Sequence, residues 1–209
     1  IPNEWNIKPL SKMCCFLDEK RRPIKEADRK KMQGKYPYYG ASGIIDYVND
    51  FIFEEELILL GEDGANILAR STPLAFKVKG KIWVNNHAHV LRPNQDVNIT
   101  FLTEYLENIR YEKYNTGTAQ PKLNKYECER ILIPYPSLSE QDRIGDIFVN
   151  LDNLIGGKKR ELRQKKKQKK GLMQNLLTGK KRLPGFNDEL QTVQIKNLLK
   201  EIKRNETWD

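Results

Sequence analysis

Two histidines, three cysteines and a few acidic clusters are the residues of this 209-residue chain suited to metal or covalent chemistry. Their spacing argues against both. His87 and His89, taken with Cys14, Cys15 and Cys128, match no zinc-ligand pattern, and the two imidazoles alternate with Ala88 and Val90 as strand residues do. Glu54, Glu55 and Glu56 are consecutive, so in a strand their carboxylates point to opposite faces and do not converge on one ion. Gly61-Glu62-Asp63-Gly64 is too short and too acidic to cradle a cofactor phosphate. Ile133-Pro134-Tyr135-Pro136 is superficially like the Asn/Asp-Pro-Pro-aromatic turn of amine methyltransferases, but lacks the Asn or Asp that would hold the amine. A non-catalytic protein without metal or cofactor is the expectation. An odd cysteine count without a secretory segment fits a reducing cytoplasm. No apolar run reaches the roughly 18 residues of a membrane span, so no membrane partner is expected. The chain opens on Ile1 rather than Met, as a processed or excised fragment would.

The binding chemistry is clearer. A formal charge of +9 and a pI near 9.3 point to polyanions, nucleic acid above all. The excess is local: between Lys158 and Arg182, twelve basic residues stand against Glu161 alone. That run lies within the stretch around which the chain is organised, Ser137 to about Thr178. Two seam positions recur there every seven residues, Ile144, Leu151 and Leu172 in one and Phe148, Ile155, Leu162 and Leu176 in the other, with Lys158, Lys165 and Lys169 completing them. Ser137 or Ser139, with Glu140, Gln141 and Asp142, marks a helix start; Gly179, with Lys180, Lys181 and Arg182 beside it and Pro184 beyond, marks its end. Gly156-Gly157 is its weak point. About 40 residues at 1.5 Å each make a rod of roughly 60 Å, a longer seam than a small domain can cover. It reads as a spacer and dimerisation helix awaiting a partner.

Residues 1–136 read as a globular unit of α+β class (mixed α/β), 137–182 as the long helix and 183–209 as a tail. Within the unit, Ile1–Phe16 suits a short strand and a helical turn, and Asp18–Gln33 is charged enough for an exposed loop. Leu57–Leu60 predicts a buried strand closed by the Gly61–Gly64 turn. Leu74–Val78 and Ile82–Leu91 predict two strands around Lys79-Gly80-Lys81, Ile99–Ile109 a helix, and Ile131–Pro134 a strand leading into the long helix. The tail from Pro184 to Val193 echoes the opening Pro2–Ile7, as if a second copy of the unit began there.

Four stretches together resemble the specificity subunit of type I restriction–modification systems. They are Ile1-Pro2-Asn3-Glu4-Trp5; Tyr39-Gly40-Ala41-Ser42-Gly43 leading to Leu59-Leu60-Gly61-Glu62-Asp63-Gly64; Gly117-Thr118-Ala119-Gln120-Pro121-Lys122-Leu123 running into Ile131-Leu132-Ile133-Pro134; and Ser137-Leu138-Ser139-Glu140-Gln141 opening a helix that ends Leu172-Met173-Gln174-Asn175-Leu176-Leu177-Thr178-Gly179. The resemblance covers roughly residues 1–186. It implies a target-recognition domain for double-stranded DNA, modification (methyltransferase) subunits as partners and, through them, the restriction subunit. Full-length members carry two such domains and two long helices paired antiparallel; this chain has one of each. That implies either half of a longer subunit or a half-length form that homodimerises, and the homodimer is the expectation.

Sequence-specific DNA binding requires cations for phosphates and polar side chains for base edges. The turns of the globular unit offer Lys35, Tyr36, Tyr38, Tyr39 and Ser42; Asn66 and Arg70; Asn85, Asn86 and His87; and Thr116, Thr118, Gln120 and Lys122. Lys122, after Pro121 in a Gly-to-Pro loop, is the expected phosphate contact, and Gln120 the expected base contact. Two heads separated by paired rods would read a split target, with about 34 Å per DNA turn. A coiled-coil interaction adaptor without DNA readout is the rival reading; it explains the helix but leaves the basic excess and the polar loops idle.

Overall fold

The computed structural model describes residues 2, 4–189, 191–197 and 199, and the chain divides into two compact units, Ile1–Asn153 and Leu154–Asp209. Among the described residues the first unit carries ten strands, in the α+β arrangement expected. β1 (Asn6–Pro9) pairs antiparallel with β10 (Leu132–Tyr135), joining the start of the unit to its end. A four-stranded antiparallel sheet runs β2 (Cys14–Phe16), β9 (Ala88–Pro93), β6 (Leu57–Gly61), β7 (Ala75–Val78). A second, mixed sheet runs β4 (Gly43–Val48), β3 (Gln33–Gly40), β8 (Lys81–Val84), β5 (Phe53–Glu54), with β3 and β8 parallel.

β6 is the central hydrophobic strand: the run Leu57-Ile58-Leu59-Leu60 is buried on both faces. Ile58 and Leu60 join Leu10, Met13, Leu91 and Leu102 in one core, while Leu57 and Leu59 join Phe53, Ile82 and Val90 in another. Such a doubly covered strand reads as a continuous apolar run, without the alternation of a half-exposed one. α3 (Ile99–Asn108) closes the first core, its N-terminus capped by Asn98, whose side chain accepts from Phe101 N–H at 2.9 Å.

Several expectations change. Asp18–Gln33 is not simply a loop: it holds a short 3-10 turn at Asp18–Lys20 and α1 (Glu26–Lys31), a helix without buried residues and hence without an apolar stripe to announce it. Ile82–Leu91 is two strands, broken at Asn85–His87, and β7 and β8 lie in different sheets despite the tight Lys79-Gly80 turn between them. α2 (Asn66–Ala69) and α4 (Lys125–Glu129) are single turns of helix, too short to show a period in the sequence.

α5 runs from Leu138 to Leu176, 39 residues, close to the bounds read from its caps. The compact first unit extends to Asn153 because the opening turns of α5 pack into it. Gln141 is wholly buried; its side-chain oxygen accepts from Asn98 N–H at 3.0 Å and its amide nitrogen donates to the Pro136 carbonyl at 3.0 Å. Gly145 makes this approach possible, since a Cβ there would sit 2.8 Å from the Asn98 side-chain oxygen. In the second unit a 3-10 turn covers Ile195–Asn197. The expected repeat start in the tail falls partly on Leu190, which with Ile1, Asn3, Leu198 and residues 200–209 lies outside the described residues.

Candidate nucleic-acid interface

Strand pairing brings three turns to one place. β3 and β8 are parallel with Tyr39 opposite Val84, so the turn after β3 lies beside the turn after β8, and Asn85 N–H donates to the Tyr39 carbonyl at 3.0 Å. β6 and β9 are antiparallel with Gly61 opposite Ala88, so Glu62 and Asp63 meet the same turn from the other side; Glu62 N–H donates to the His87 carbonyl at 2.9 Å. Between them lies an open cleft of about 440 Å³ lined by residues 40–45, Asp63, Asn85 and His87.

A fourth segment, residues 115–123, is laced onto this cluster. Asp63 bridges to Lys122, Gly64 N–H donates to the Pro121 carbonyl at 3.0 Å, and Leu123 N–H donates to the Glu62 carbonyl at 2.7 Å. Asn115 organises it internally, its side-chain oxygen accepting from Gly117 N–H at 3.1 Å and Lys122 N–H at 2.8 Å. Gly117 has to be glycine here, because a Cβ would fall 1.7 Å from the Gln120 carbonyl oxygen.

Charge is arranged around these turns. His87 Nδ1 lies 2.8 Å from Asp63 Oδ2, and Lys122 Nζ lies 3.4 Å from Glu62 Oε1. Glu62 also receives Arg21, at 2.6 Å, beneath the surface. Deeper still, His89 Nδ1 is 2.6 Å from Asp18 Oδ2 and its Nε2 is 2.8 Å from the Leu123 carbonyl. Burial alone would lower the His89 pKa, but its bond to Asp18 and the influence of Cys128 outweigh that and raise it to about 10. Burial pushes the Asp18 carboxyl the other way; the His89 bond, the Val90 N–H and Arg21 hold it below the usual carboxylate range.

Of the residues singled out from the sequence, Ser42, Asn86, His87, Thr118, Gln120 and Lys122 are exposed on these turns. Tyr39 is half-buried at the cleft edge, its ring against Phe76. Lys35 is exposed but five residues before Gly40 on β3, roughly 16 Å from the cluster at about 3.3 Å per residue. Tyr36 packs edge-on against Phe51, and Thr116 is tied to Lys122 within the loop. Burial corrects two expectations, Tyr38 and Asn85, while Asn66 and Arg70 are engaged within the fold. Tyr38 is 1% exposed, a core residue whose hydroxyl accepts from Ile24 N–H at 3.0 Å. Asn85 is buried, its side-chain oxygen fixing the turn through His87 N–H at 2.8 Å. Asn66 commits its amide to Thr72 O, Thr72 N–H and Ser71, closing the loop after α2. Arg70 ends α2 in the left-handed region at φ 49° and is clamped onto Glu107. The acids and His89 that knit the cluster escape a sequence reading, since their partners are distant in the chain and their local spacing carries no signal.

On α5, Ile144 and Phe148 line a hollow of about 420 Å³ with Trp5, Phe101 and Tyr105 of the same unit. Leu151 leaves its side chain exposed, as do Ile147 and Val149, apolar neighbours outside the two seam positions. In the second unit Ile155, Leu162 and Leu172 are exposed along with Leu154, and Leu172 and Leu176 form an apolar groove with Met173 and Leu177 flanked by Lys165 and Lys169. Among the described residues no helix is long and apolar enough to cross a membrane.

Residues 2–164 match the family described as the type I restriction modification DNA specificity domain. The chain is 37% identical over 145 residues, 69% of its length and 36% of the relative's, to a putative type I restriction enzyme specificity subunit of Haemophilus influenzae. It is 28% identical over 196 residues, 85% of its length and 43% of the relative's, to the type I restriction enzyme MjaVIII specificity subunit of Methanocaldococcus jannaschii. Among solved structures, the type I restriction-modification S subunit from M. genitalium matches with a TM-score of 0.64 at 21% identity, over 82% of this chain and 45% of that one. The HsdS subunit from Thermoanaerobacter tengcongensis matches with a TM-score of 0.53 at 16% identity, over 77% of this chain and 40% of that one. The chain thus spans under half the length of each of these relatives.

Proposed function

The chain belongs to the type I restriction modification DNA specificity domain family, and from that premise we propose that it reads half of a bipartite DNA target, without catalysis of its own, as the specificity component of a modification and restriction complex. The observation that carries this reading is the convergence of four turns, which gather Ser42, Asn86, His87, Thr118, Gln120 and Lys122 from separate parts of the chain. Gln120 is the candidate for two hydrogen bonds to an adenine edge, and Lys122 for a phosphate. Lys35 and Tyr39 are flanking contacts in the same proposal.

The second half of the proposal is a homodimer along α5. Charge distribution supports an antiparallel pair: Glu140, Asp142, Asp146 and Asp152 sit in the opening half of the helix with Arg143 alone opposing them, while Lys158 to Lys170 holds nine basic residues and one acid. Head-to-tail pairing sets each acidic half against the other copy's basic half, which also supplies partners for the seam lysines. Leu151, Ile155, Leu162, Leu172 and Leu176, with Ile144 and Phe148 at the edge, form the seam. Modification subunits are the further partners, and the restriction subunit is reached through them.

Affinity for duplex DNA as a function of salt tests the reading. The logarithm of the binding constant should fall linearly with log salt, by about 0.9 per phosphate contacted, and Lys122→Gln should lower that slope by about 0.9. A chain that ignores DNA at low salt favours the adaptor reading. A monomer in sedimentation at tens of micromolar removes the homodimer.

A further inference from the structure

The loop proposed to carry the DNA contacts does not hold its shape through apolar packing alone. Pro121 is only half-buried, Thr118 to Gln120 are exposed, and Leu123 is the one residue of 115–123 that enters the core. The carbonyl of Leu123 is therefore a backbone acceptor carried to the interior, where an unpaired one is costly.

We propose that His89 is the positioning residue of this loop, its ring spanning the Asp18 carboxylate on one side and the Leu123 carbonyl on the other, so that Gln120 and Lys122 are held in place through one buried side chain. The inference rests on the DNA-reading proposal for what the loop does, but its geometry stands apart from it. A carboxylate and a backbone carbonyl are both acceptors, so a ring that bonds to both, at 2.6 and 2.8 Å, must donate from both nitrogens and carry a charge. His89 is 1% exposed. Two carboxylates beside it bear that out, Asp18 from the loop after β2 and Glu62, whose Oε2 lies 3.9 Å away in the turn after β6; the Phe16 ring, its centroid 5.8 Å off, and Cys128 of α4 complete the surroundings. Arg21 balances the second carboxylate by bonding Glu62 at 2.6 Å and lying 3.6 Å from Asp18. The same network reaches the loop a second time through Glu62 and Lys122. A buried cluster with matched charges and every ring donor used is a rigid support for a polar loop.

Two substitutions in the full chain separate positioning from bulk stability. In His89→Phe the ring remains but both donors go, so the Leu123 carbonyl loses its partner. In Asp18→Asn the amide oxygen can still accept from Val90 N–H, and a neutral His89 protonated at Nε2 still donates to Leu123. Hydrogen exchange at the Thr116, Lys122 and Leu123 amides, referred to amides of β6, should speed up about tenfold in His89→Phe and hold in Asp18→Asn. Affinity of the His89→Phe chain for mixed-sequence duplex DNA at low salt should fall about tenfold. Nitrogen NMR of the unsubstituted chain near pH 8, where an ordinary histidine is neutral, should show both His89 nitrogens protonated, a reading that does not depend on either variant folding. A neutral ring at that pH, unchanged loop exchange in His89→Phe, or equal loosening in both variants overturns the proposal. If the unsubstituted chain binds no duplex while the exchange and NMR results hold, the DNA reading fails and the clamp stands.

Discussion

Raising the pH discharges the buried histidine and should weaken the fold over a defined window. The unfolded chain gives up the His89 proton near its ordinary value of 6.5, while the folded chain keeps it until about 10. Between those values the folded state binds one proton more, so the contribution is fully present below 6.5 and is lost as pH rises through about 10. The slope is about 1.4 kcal/mol per pH unit, and the whole span is worth on the order of 5 kcal/mol, comparable with the total stability of many domains. Because the side chain is essentially without solvent contact, little screening discounts it. Burial also pushes the Cys14 thiol up, which adds a loss of the same sign at higher pH, so the clean window is about pH 7 to 9. Urea unfolding followed by fluorescence of the buried Trp83 reads it directly. Stability should fall across that window in the unsubstituted chain and stay nearly level in Asp18→Asn. A level profile in the unsubstituted chain, or an equal slope in both, refutes the argument.

Two further perturbations address the helix. Gln141→Ala strips partners from Asn98 N–H and the Pro136 carbonyl at the α5 docking point, and should cost the first unit about 1–3 kcal/mol in urea unfolding. Leu162→Asp lies on an exposed position, so the monomer fold should be nearly indifferent; removing roughly 2 kcal/mol of seam burial from each of two copies should weaken self-association about a thousandfold, read by sedimentation velocity.

The strongly periodic elements are the ones legible in the sequence. β6 is an unbroken apolar run, α3 repeats at three and four, and α5 keeps its seam and both end signals, so each can be placed within a few residues. Pairing is not legible. The Lys79-Gly80 turn looks like a hairpin, yet β7 joins β6 and β8 joins β3 and β5, because a tight turn says nothing about which sheet takes the next strand. Polar roles divide the same way. Lys122 and Gln120 stand out by loop composition, whereas the His89–Asp18 contact joins residues 71 apart in the chain and only the register of β9 against its neighbours brings them together. Tyr38 shows the converse error: an aromatic in a turn-rich stretch suggests an exposed ring, and β3 turns it into the core instead.

In the proposed assembly two such recognition units, joined through α5, read two separate short stretches of one duplex. Hydroxyl-radical footprinting of the homodimer on a duplex carrying its selected target resolves the two stretches. Two protected patches flanking an unprotected centre, with centres at least about 34 Å apart along the axis, are expected; a single continuous block of protection, or none at low salt, would rule out the split target.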